Sequence, residues 1–155
     1  NQMRERVYFM DEIIKLLDKN LDYVSHEVCG DIIYITVKSS KVEAICPFCG
    51  VTSTKEHSTY QRTIQDLPIQ GKKVILIIGS RKMFCDNPEC SHTTFAERFS
   101  FLSKKSKKTE RLKEEIMHMS LNCSSVAAAE FLSKNVVSIG KSTICRYIKK
   151  QRTKP

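Results

Sequence analysis

Four cysteines in two close pairs constrain the fold of this chain more than any other feature. Cys46 and Cys49 are separated by two residues, Cys85 and Cys90 by four, and 35 residues lie between the pairs. A structural zinc ion needs four soft ligands at tetrahedral corners, and two short cysteine turns can supply them. The intervening segment is long enough for two strands and a turn. The spacing therefore predicts a zinc ribbon in which these four cysteines hold one structural Zn²⁺.

A redox motif or a set of ordinary free thiols accounts for less of this pattern. A redox Cys-x2-Cys motif would be expected at the start of a helix, whereas the Val-Thr-Ser-Thr that follows Gly50 begins a helix poorly. It would also leave the second pair unexplained. His57 or His92 could replace one cysteine as a ligand, and this alternative stays open. Four thiolates would leave no coordination position for a substrate, so the predicted zinc is structural.

Three further cysteines stand singly among apolar residues, and we expect them to be buried thiols. They are Cys29, Cys123 and Cys145. The cysteine count is odd and the N-terminus contains no secretory signal, so a disulfide framework is not expected.

The positive charge of the chain is concentrated in its C-terminal third. The 155 residues carry 26 Lys and Arg against 17 Asp and Glu, a net charge of +9, and residues 103–155 alone hold thirteen cations and four acids. Such an asymmetry predicts that this third faces a polyanion. No apolar run approaches the roughly 18 residues of a membrane span. We therefore expect a soluble, cytoplasmic protein that does not bind membranes.

Hydrophobic periodicity predicts an α+β protein of two domains. Residues 1–102 are expected to form a zinc-binding domain, with an N-terminal helix from Tyr8 to Leu21 and a small zinc-ribbon-like antiparallel sheet. Strands are predicted at 31–38, 42–45, 60–64 and 72–84, with a turn at 66–71. Residues 103–109 contain no apolar side chain and mark the boundary. Residues 103–155 are expected to form a basic, three-helix helix-turn-helix domain.

Side chains that can cap helices support the three predicted helices of this second domain. Ser106 or Thr109 could cap the first helix, and Ser124 or Ser125 the second. The small residues at 127–129 would permit the close helix crossing that a helix-turn-helix requires. A three-helix bundle with a solvated basic surface is the alternative.

The last predicted helix, from about Lys141 to Gln151, has two distinct faces. Ile144, Cys145 and Ile148 gather on one side, where they can pack on the preceding helices. The other side carries hydroxyls near its start and cations along its length, as a recognition helix in the major groove would. We therefore predict contacts with double-stranded DNA from this side and from the lysines of the domain boundary. The predicted residues are Lys104, Lys105, Lys107, Lys108, Lys141, Ser142, Thr143, Arg146, Lys149 and Lys150.

A series of short motifs between the first cysteine and Glu97 points to a known family. The series is Cys46-Pro47-x-Cys49-Gly50, His57, Tyr60, Arg62, Asp66-Leu67-Pro68-Ile69-x-Gly71-Lys72-x-Val74, Arg81-x-x-x-Cys85-x-Asn87-x-x-Cys90 and Phe95-x-Glu97. It resembles the N-terminal zinc-binding domain of insertion-sequence transposases of the ISL-three family. In that family a helix-turn-helix follows, and the segment from Ser142 to Ile148 is similar to its recognition helix.

The resemblance implies sequence-specific binding to the terminal inverted repeats of a mobile element. The family's catalytic domain, which carries an acidic triad, has no counterpart in these residues. We therefore expect no enzymatic activity from this chain, which would be either a fragment of a transposase or a stand-alone relative in the bacterial cytoplasm, associated with the nucleoid. The alternatives are a transcriptional regulator and a zinc-scaffolded protein-interaction domain, and the chain could act as a homodimer.

Overall fold

The computed structural model describes residues 1–153, which form a mixed α+β structure. In chain order, its elements are α1 (Gln2–Lys15), β1 (Leu21–Cys29), β2 (Ile32–Ser39), β3 (Ala44–Ile45), β4 (Thr52–Ser53), β5 (Glu56–Ile69), β6 (Lys72–Phe84), β7 (Thr94–Ala96), α2 (Glu110–Asn122), α3 (Ser125–Asn135) and α4 (Lys141–Arg152). The predicted α+β class is thus confirmed. Within the described residues, no helix is long and apolar enough to cross a membrane.

The main sheet is mixed and not purely antiparallel. Its strand order is β1-β2-β6-β5, and β7 pairs with the far end of β6. The β1–β2 and β5–β6 hairpins are antiparallel, but β2 runs parallel to β6, with Ile32 opposite Lys73. The prediction of an antiparallel sheet is wrong at this central pairing. The chain reverses direction twice between β2 and β6, and β6 then inserts between β2 and β5.

One face of this sheet forms the largest apolar core. Alternate residues of β6 point into it, because successive side chains of a strand face opposite sides. Helix α1 covers part of this face through Ile14, and the chain after β7 covers another part. The buried members of this core are Ile14, Leu21, Ile35, Val37, Ile64, Val74, Leu76, Ile78, Phe101 and Leu102.

The N-terminal helix and the strand after it differ from the prediction. Helix α1 begins at Gln2 and ends at Lys15, and residues 21–29 are a strand. The Asp11 carboxylate accepts a hydrogen bond from the Tyr23 N–H at 3.0 Å and pairs with Lys15 Nζ, also at 3.0 Å. These contacts fix the reversal after α1, so the chain returns along β2 as an edge strand.

Strand β5 is also longer than predicted. It runs from Glu56 to Ile69, so the predicted turn at 66–71 is confined to its end. Gln70 and Gly71 both have positive φ, at 50° and 74°, as in a type I′ turn. This turn matches the twist of the two long strands it connects.

The helices α2, α3 and α4 pack around a second core. Its buried residues are Leu112, Ile116, Ala128, Leu132, Val137 and Ile144. The side-chain oxygens of Thr109 and Ser124 accept N–H groups at the starts of α2 and α3, so these are the caps among the predicted alternatives. The three predicted helices are therefore present.

Two of the three single cysteines are not buried. Cys29 and Cys123 are exposed, and Cys145 is half-buried. The prediction of buried thiols is wrong because Cys29 is the last residue of an edge strand and Cys123 follows the last residue of α2, and both positions are exposed.

Candidate zinc centre and nucleic-acid interface

The four paired cysteines come together in space. Every pair of their sulfur atoms lies within 4.8 Å, with 3.9 Å between Cys46 Sγ and Cys90 Sγ and 3.5 Å between Cys49 Sγ and Cys85 Sγ. Tetrahedral zinc with bonds of about 2.3 Å requires sulfur–sulfur distances of about 3.8 Å. The donor set and its dimensions therefore fit one zinc ion.

The turn from Cys46 to Gly50, which we name the first knuckle, connects the two short strands β3 and β4. The Cys46 N–H donates to the Val51 carbonyl, and the Gly50 N–H donates to the Cys46 carbonyl, both at 2.9 Å. Gly50 has a φ of 80°, which favours glycine and lets the chain turn sharply after Cys49. This local hydrogen bonding presents both sulfurs on the same side of the turn.

The loop from Cys85 to Cys90, which we name the second knuckle, lies between the end of β6 and the start of β7. The Cys85 N–H donates to the Thr93 carbonyl at 2.8 Å, and the Cys90 N–H donates to the Asn87 carbonyl at 3.1 Å. The His92 N–H points at Cys90 Sγ, 3.5 Å away. Because β7 pairs with the last residues of β6, the loop between them is fixed against the first knuckle.

The electrostatics of the four thiols favour a divalent cation. The backbone N–H of Val51 donates to Cys49 and lowers the pKa of that thiol to about 7. The N–H of Asn87 acts in the same direction on Cys85, but burial and the neighbouring thiols outweigh it and raise the pKa of Cys85 to about 12. Cys49 thus ionises readily, whereas Cys85 keeps its proton as a hydrogen-bond donor to the neighbouring sulfurs. A bound Zn²⁺ would replace such protons, because the thiolate is the form that binds the metal.

Neither histidine is a ligand in this geometry. The ring of His92 stacks on Phe48 with a centroid distance of 3.5 Å, and the ring of His57 packs against Phe84. Among the described residues, the group that could hold the metal is made of Cys46, Cys49, Cys85 and Cys90. The predicted ligand set is therefore brought together as one structural zinc site.

Two ion pairs made by buried carboxylates explain other parts of the motif series. Glu97 accepts two hydrogen bonds from Arg81, at 2.7 and 2.9 Å, beside the zinc ribbon. Asp66, only 4% exposed, accepts two from Arg111 at 2.5 and 2.9 Å and one from the Thr109 hydroxyl at 2.8 Å. These pairings were not predicted from the sequence, although Asp66, Arg81 and Glu97 all lie within the motifs.

The lysine-rich segment 103–108 is attached to β5. The Gln65 N–H donates to the Lys107 carbonyl at 2.8 Å, and the Thr109 N–H donates to the Gln65 carbonyl at 3.0 Å. Arg62 also donates to the Ser106 carbonyl at 2.9 Å. The segment is therefore held in a defined position between the sheet and α2.

Most residues predicted to contact DNA are exposed. Lys108 and Thr143 are half-buried, whereas the exposed residues are Lys104, Lys105, Lys107, Lys141, Ser142, Arg146, Lys149 and Lys150. Burial lowers the pKa of Lys108, and the positive charges of Arg146, Lys113 and Lys107 lower it further. Lys108 thus lies close enough to Arg146 of α4 for their like charges to interact. Whether these residues contact DNA stays a prediction.

Comparison with known proteins identifies the zinc ribbon. Residues 43–90 match the family described as the zinc-finger of transposase IS204/IS1001/IS1096/IS1165. The chain is also similar to the transposase for insertion sequence element IS1001 of Bordetella parapertussis, with 26% identity over 102 residues. This match covers 66% of the chain and 24% of that relative. No solved structure matches the chain. The resemblance inferred from the motifs is confirmed, because residues 43–90 match the zinc ribbon of insertion-sequence transposases.

Proposed function

We propose that this chain is the DNA-binding N-terminal region of an insertion-sequence transposase and recognises the terminal inverted repeats of its element. One observation carries the proposal: a transposase-type zinc ribbon is joined to helices that expose a cationic surface. The chain covers about a quarter of the length of the similar transposase. In this proposal catalysis belongs to another part of the protein, which acts on DNA in the bacterial nucleoid.

Helix α4 is suited to enter the major groove. Ile144 is fully buried against the other helices, whereas Ser142 and Arg146 are exposed. A helix anchored by its apolar side and presenting polar and cationic groups on the other is the arrangement of a recognition helix. We infer that α3 and α4 act as a helix-turn-helix. The buried Val137 in the connection between them supports this interpretation because it ties the connection to the core.

The cationic residues would then have two different roles. Ser142, Thr143 and Arg146 lie in the first half of α4, where they would reach base edges. An arginine can donate two hydrogen bonds to guanine and so read a base. Lys149 and Lys150 in the second half, together with the boundary lysines, would contact phosphates. The zinc ribbon supports this surface indirectly, because the neighbouring β5 strand holds segment 103–108.

The experiment is to select bound sequences from a random duplex pool and to measure affinity for a selected and a scrambled duplex at several salt concentrations. Arg146→Ala should weaken the selected duplex by about 1–3 kcal/mol and relax preference at one or two positions. Lys149→Ala should weaken both duplexes equally and lower the salt slope by about 0.9. Arg4→Ala, an exposed substitution on α1, is the matched control. If Arg146→Ala and Arg4→Ala behave alike on both duplexes, α4 is not the reader.

The two buried carboxylates among the described residues support a non-catalytic role. The buried Asp66 and Glu97 are both engaged by arginines, so neither is free to bind a catalytic metal ion. The chain with Mg²⁺ or Mn²⁺ should therefore leave inverted-repeat DNA intact. Specific cleavage that is lost when an acidic residue of this chain is substituted would contradict the proposal.

A further inference from the structure

A cleft of about 700 Å³ lies between the zinc ribbon and segment 103–107; we name it the knuckle cleft. Phe48 and His92 of the two knuckles line one side, and the lysine-rich segment lines another. Tyr60 and Arg62 of β5 line the surface between them. The knuckle cleft is thus separate from the outer surface of α4.

The charge of the knuckle cleft is strongly positive. Among the described residues that line it, the cations are Arg62, Lys82, Arg98, Lys104, Lys105 and Lys107. The only carboxylate among these lining residues is Glu97, which is buried and bound to Arg81. This composition favours an anionic ligand.

Aromatic rings are exposed among these cations. Phe48 and Tyr60 are each 45% exposed, although both are large side chains that usually gain from burial. Phe48 stacks on His92 with only 7° between the ring planes, so the pair forms a flat platform at the edge of the knuckle cleft. Aromatic platforms combined with cations are typical of surfaces that bind unpaired nucleotides, because every base has a face on which a ring can stack.

The dimensions of the knuckle cleft favour a single strand over a duplex. Its volume lies within the roughly 300–1,000 Å³ of small-molecule pockets. A DNA duplex, whose major groove alone is about 12 Å wide, is too large to enter such a space. One or two unpaired nucleotides are of a suitable size. In a duplex the bases already stack on each other, so the exposed rings of Phe48 and Tyr60 would find no free base to contact.

We propose that the knuckle cleft binds unpaired nucleotides of a DNA strand, with bases stacked on Tyr60 and on the Phe48–His92 platform and phosphates held by Lys82 and Arg98, which the duplex surface does not use. This activity goes beyond duplex recognition by α4. It would let the zinc ribbon contact DNA where the two strands separate, while the helices remain on the paired part.

The test is fluorescence anisotropy with a labelled oligothymidine of about 12 nucleotides, a length within the site sizes of single-strand-binding proteins. Tyr60→Ala should weaken binding about 5- to 150-fold, the loss that corresponds to one stacked base. Tyr60→Phe keeps the ring and should stay within about twofold. Tyr8→Ala removes a tyrosine that is exposed on α1 and should change nothing.

A second set of variants separates stacking from charge and from folding. Lys82→Ala should lower the salt slope for oligothymidine by about 0.7, whereas Lys38→Ala, an exposed lysine outside the knuckle cleft, should not. Zinc content and circular dichroism of Tyr60→Ala should equal those of the wild type.

Three results would overturn the proposal: no binding of oligothymidine by the wild type, equal behaviour of Tyr60→Ala and Tyr8→Ala, or an equal loss of duplex binding in Tyr60→Ala. The last result would mean that this surface holds the duplex backbone. Arg146→Ala distinguishes duplex recognition by α4 from single-strand binding by the knuckle cleft, because it should weaken duplex binding and leave oligothymidine binding unchanged.

Discussion

The zinc ribbon and the helical region of this protein are held together by different means. The metal-binding end of the zinc ribbon buries Ala44, Met83 and Phe95 with Cys46 in one small cluster, and four sulfurs around a metal ion provide its remaining cohesion. The helical region has a larger apolar core made by three helices. Metal coordination thus replaces hydrophobic burial where the chain is too short to form a core. Each region should therefore respond to a different perturbation.

The two regions are nevertheless connected. Strand β6 passes from the main sheet core into the second knuckle. At the opposite end of the sheet, Asp66 of β5 is bound to Arg111 of α2. The sheet thus has the zinc ribbon at one end and the helices at the other. Variants at each place should show how independent the regions are.

The largest effect is expected from Cys49→Ala. Zinc binding in small structural sites contributes about 10–16 kcal/mol, and this free energy is part of the folding free energy. We expect loss of zinc and unfolding of the region around residues 40–100, while α2–α4 keep their helicity. Metal analysis and far-ultraviolet circular dichroism measure both. Cys123→Ala removes an exposed thiol outside the site and should retain the metal; zinc retained in both variants would contradict the ligand assignment.

A substitution that creates a cavity in the helical core should destabilise the helices and leave the zinc site intact, which is the opposite of the result expected for Cys49→Ala. Ile116 is fully buried, and Ile116→Ala should lower the free energy of unfolding of the helical region by about 2–5 kcal/mol. Zinc content should be unchanged. Urea denaturation with parallel metal analysis tests this, with Leu121→Ala as the control because Leu121 is 54% exposed. Release of zinc by Ile116→Ala would show that the two regions fold as one unit.

The connection between the regions is tested by Arg111→Ala. It leaves the buried Asp66 carboxylate with the Thr109 hydroxyl but without its cation. Breaking a fully buried pair costs about 3–5 kcal/mol. Arg111 is 40% exposed, so solvent screening reduces this to about 1–3 kcal/mol. Denaturation curves should become less cooperative. Lys113→Ala breaks only a surface pair with Glu110 and should cost less than about 1 kcal/mol.

The smallest effect concerns the helix cap of α3. Ser124 accepts the Ala127 N–H at 3.1 Å, so Ser124→Ala should destabilise the helical region by about 1 kcal/mol. Ser125, the other serine considered as a cap, is instead the first residue inside the helix, and Ser125→Ala should stay within about 0.5 kcal/mol. Thermal unfolding of the two variants compares them directly. An equal effect would mean that the cap is not the source of stability.

Features that depend on short stretches of chain could be predicted from the sequence. The cysteine spacing identified the zinc ligands because each pair belongs to one tight turn. The residue types left two candidate caps each for α2 and α3, of which the structure uses Thr109 and Ser124. The buried position of Ile144 in α4 follows from helical periodicity, which is also local. The resemblance to transposase zinc ribbons rests on motifs of the same kind.

Features that depend on distant contacts could not be predicted. Strand β1 has no clear alternation of apolar and polar residues, because both of its faces are exposed over its last six residues. Its conformation is fixed by pairing with β2. Nothing local to Asp66 indicates that Arg111, far along the chain, will bind it. The knuckle cleft combines residues from the knuckles, β5 and segment 103–107, so only the folded chain brings its rings and cations together.

The parallel pairing of β2 with β6 also has a consequence for the order of folding. The two hairpins connect neighbouring residues and can form in about 1–10 μs. The β2–β6 ladder joins Ile32 to Lys73 across the whole first knuckle, and such long-range closure is slow. A zinc ion that joins Cys46 to Cys85 shortens this search, because the path from Ile32 to Lys73 through the metal is 26 residues in place of 41 along the chain. We therefore expect a newly synthesised chain to form its hairpins early and to complete its sheet at a rate that rises with the zinc concentration.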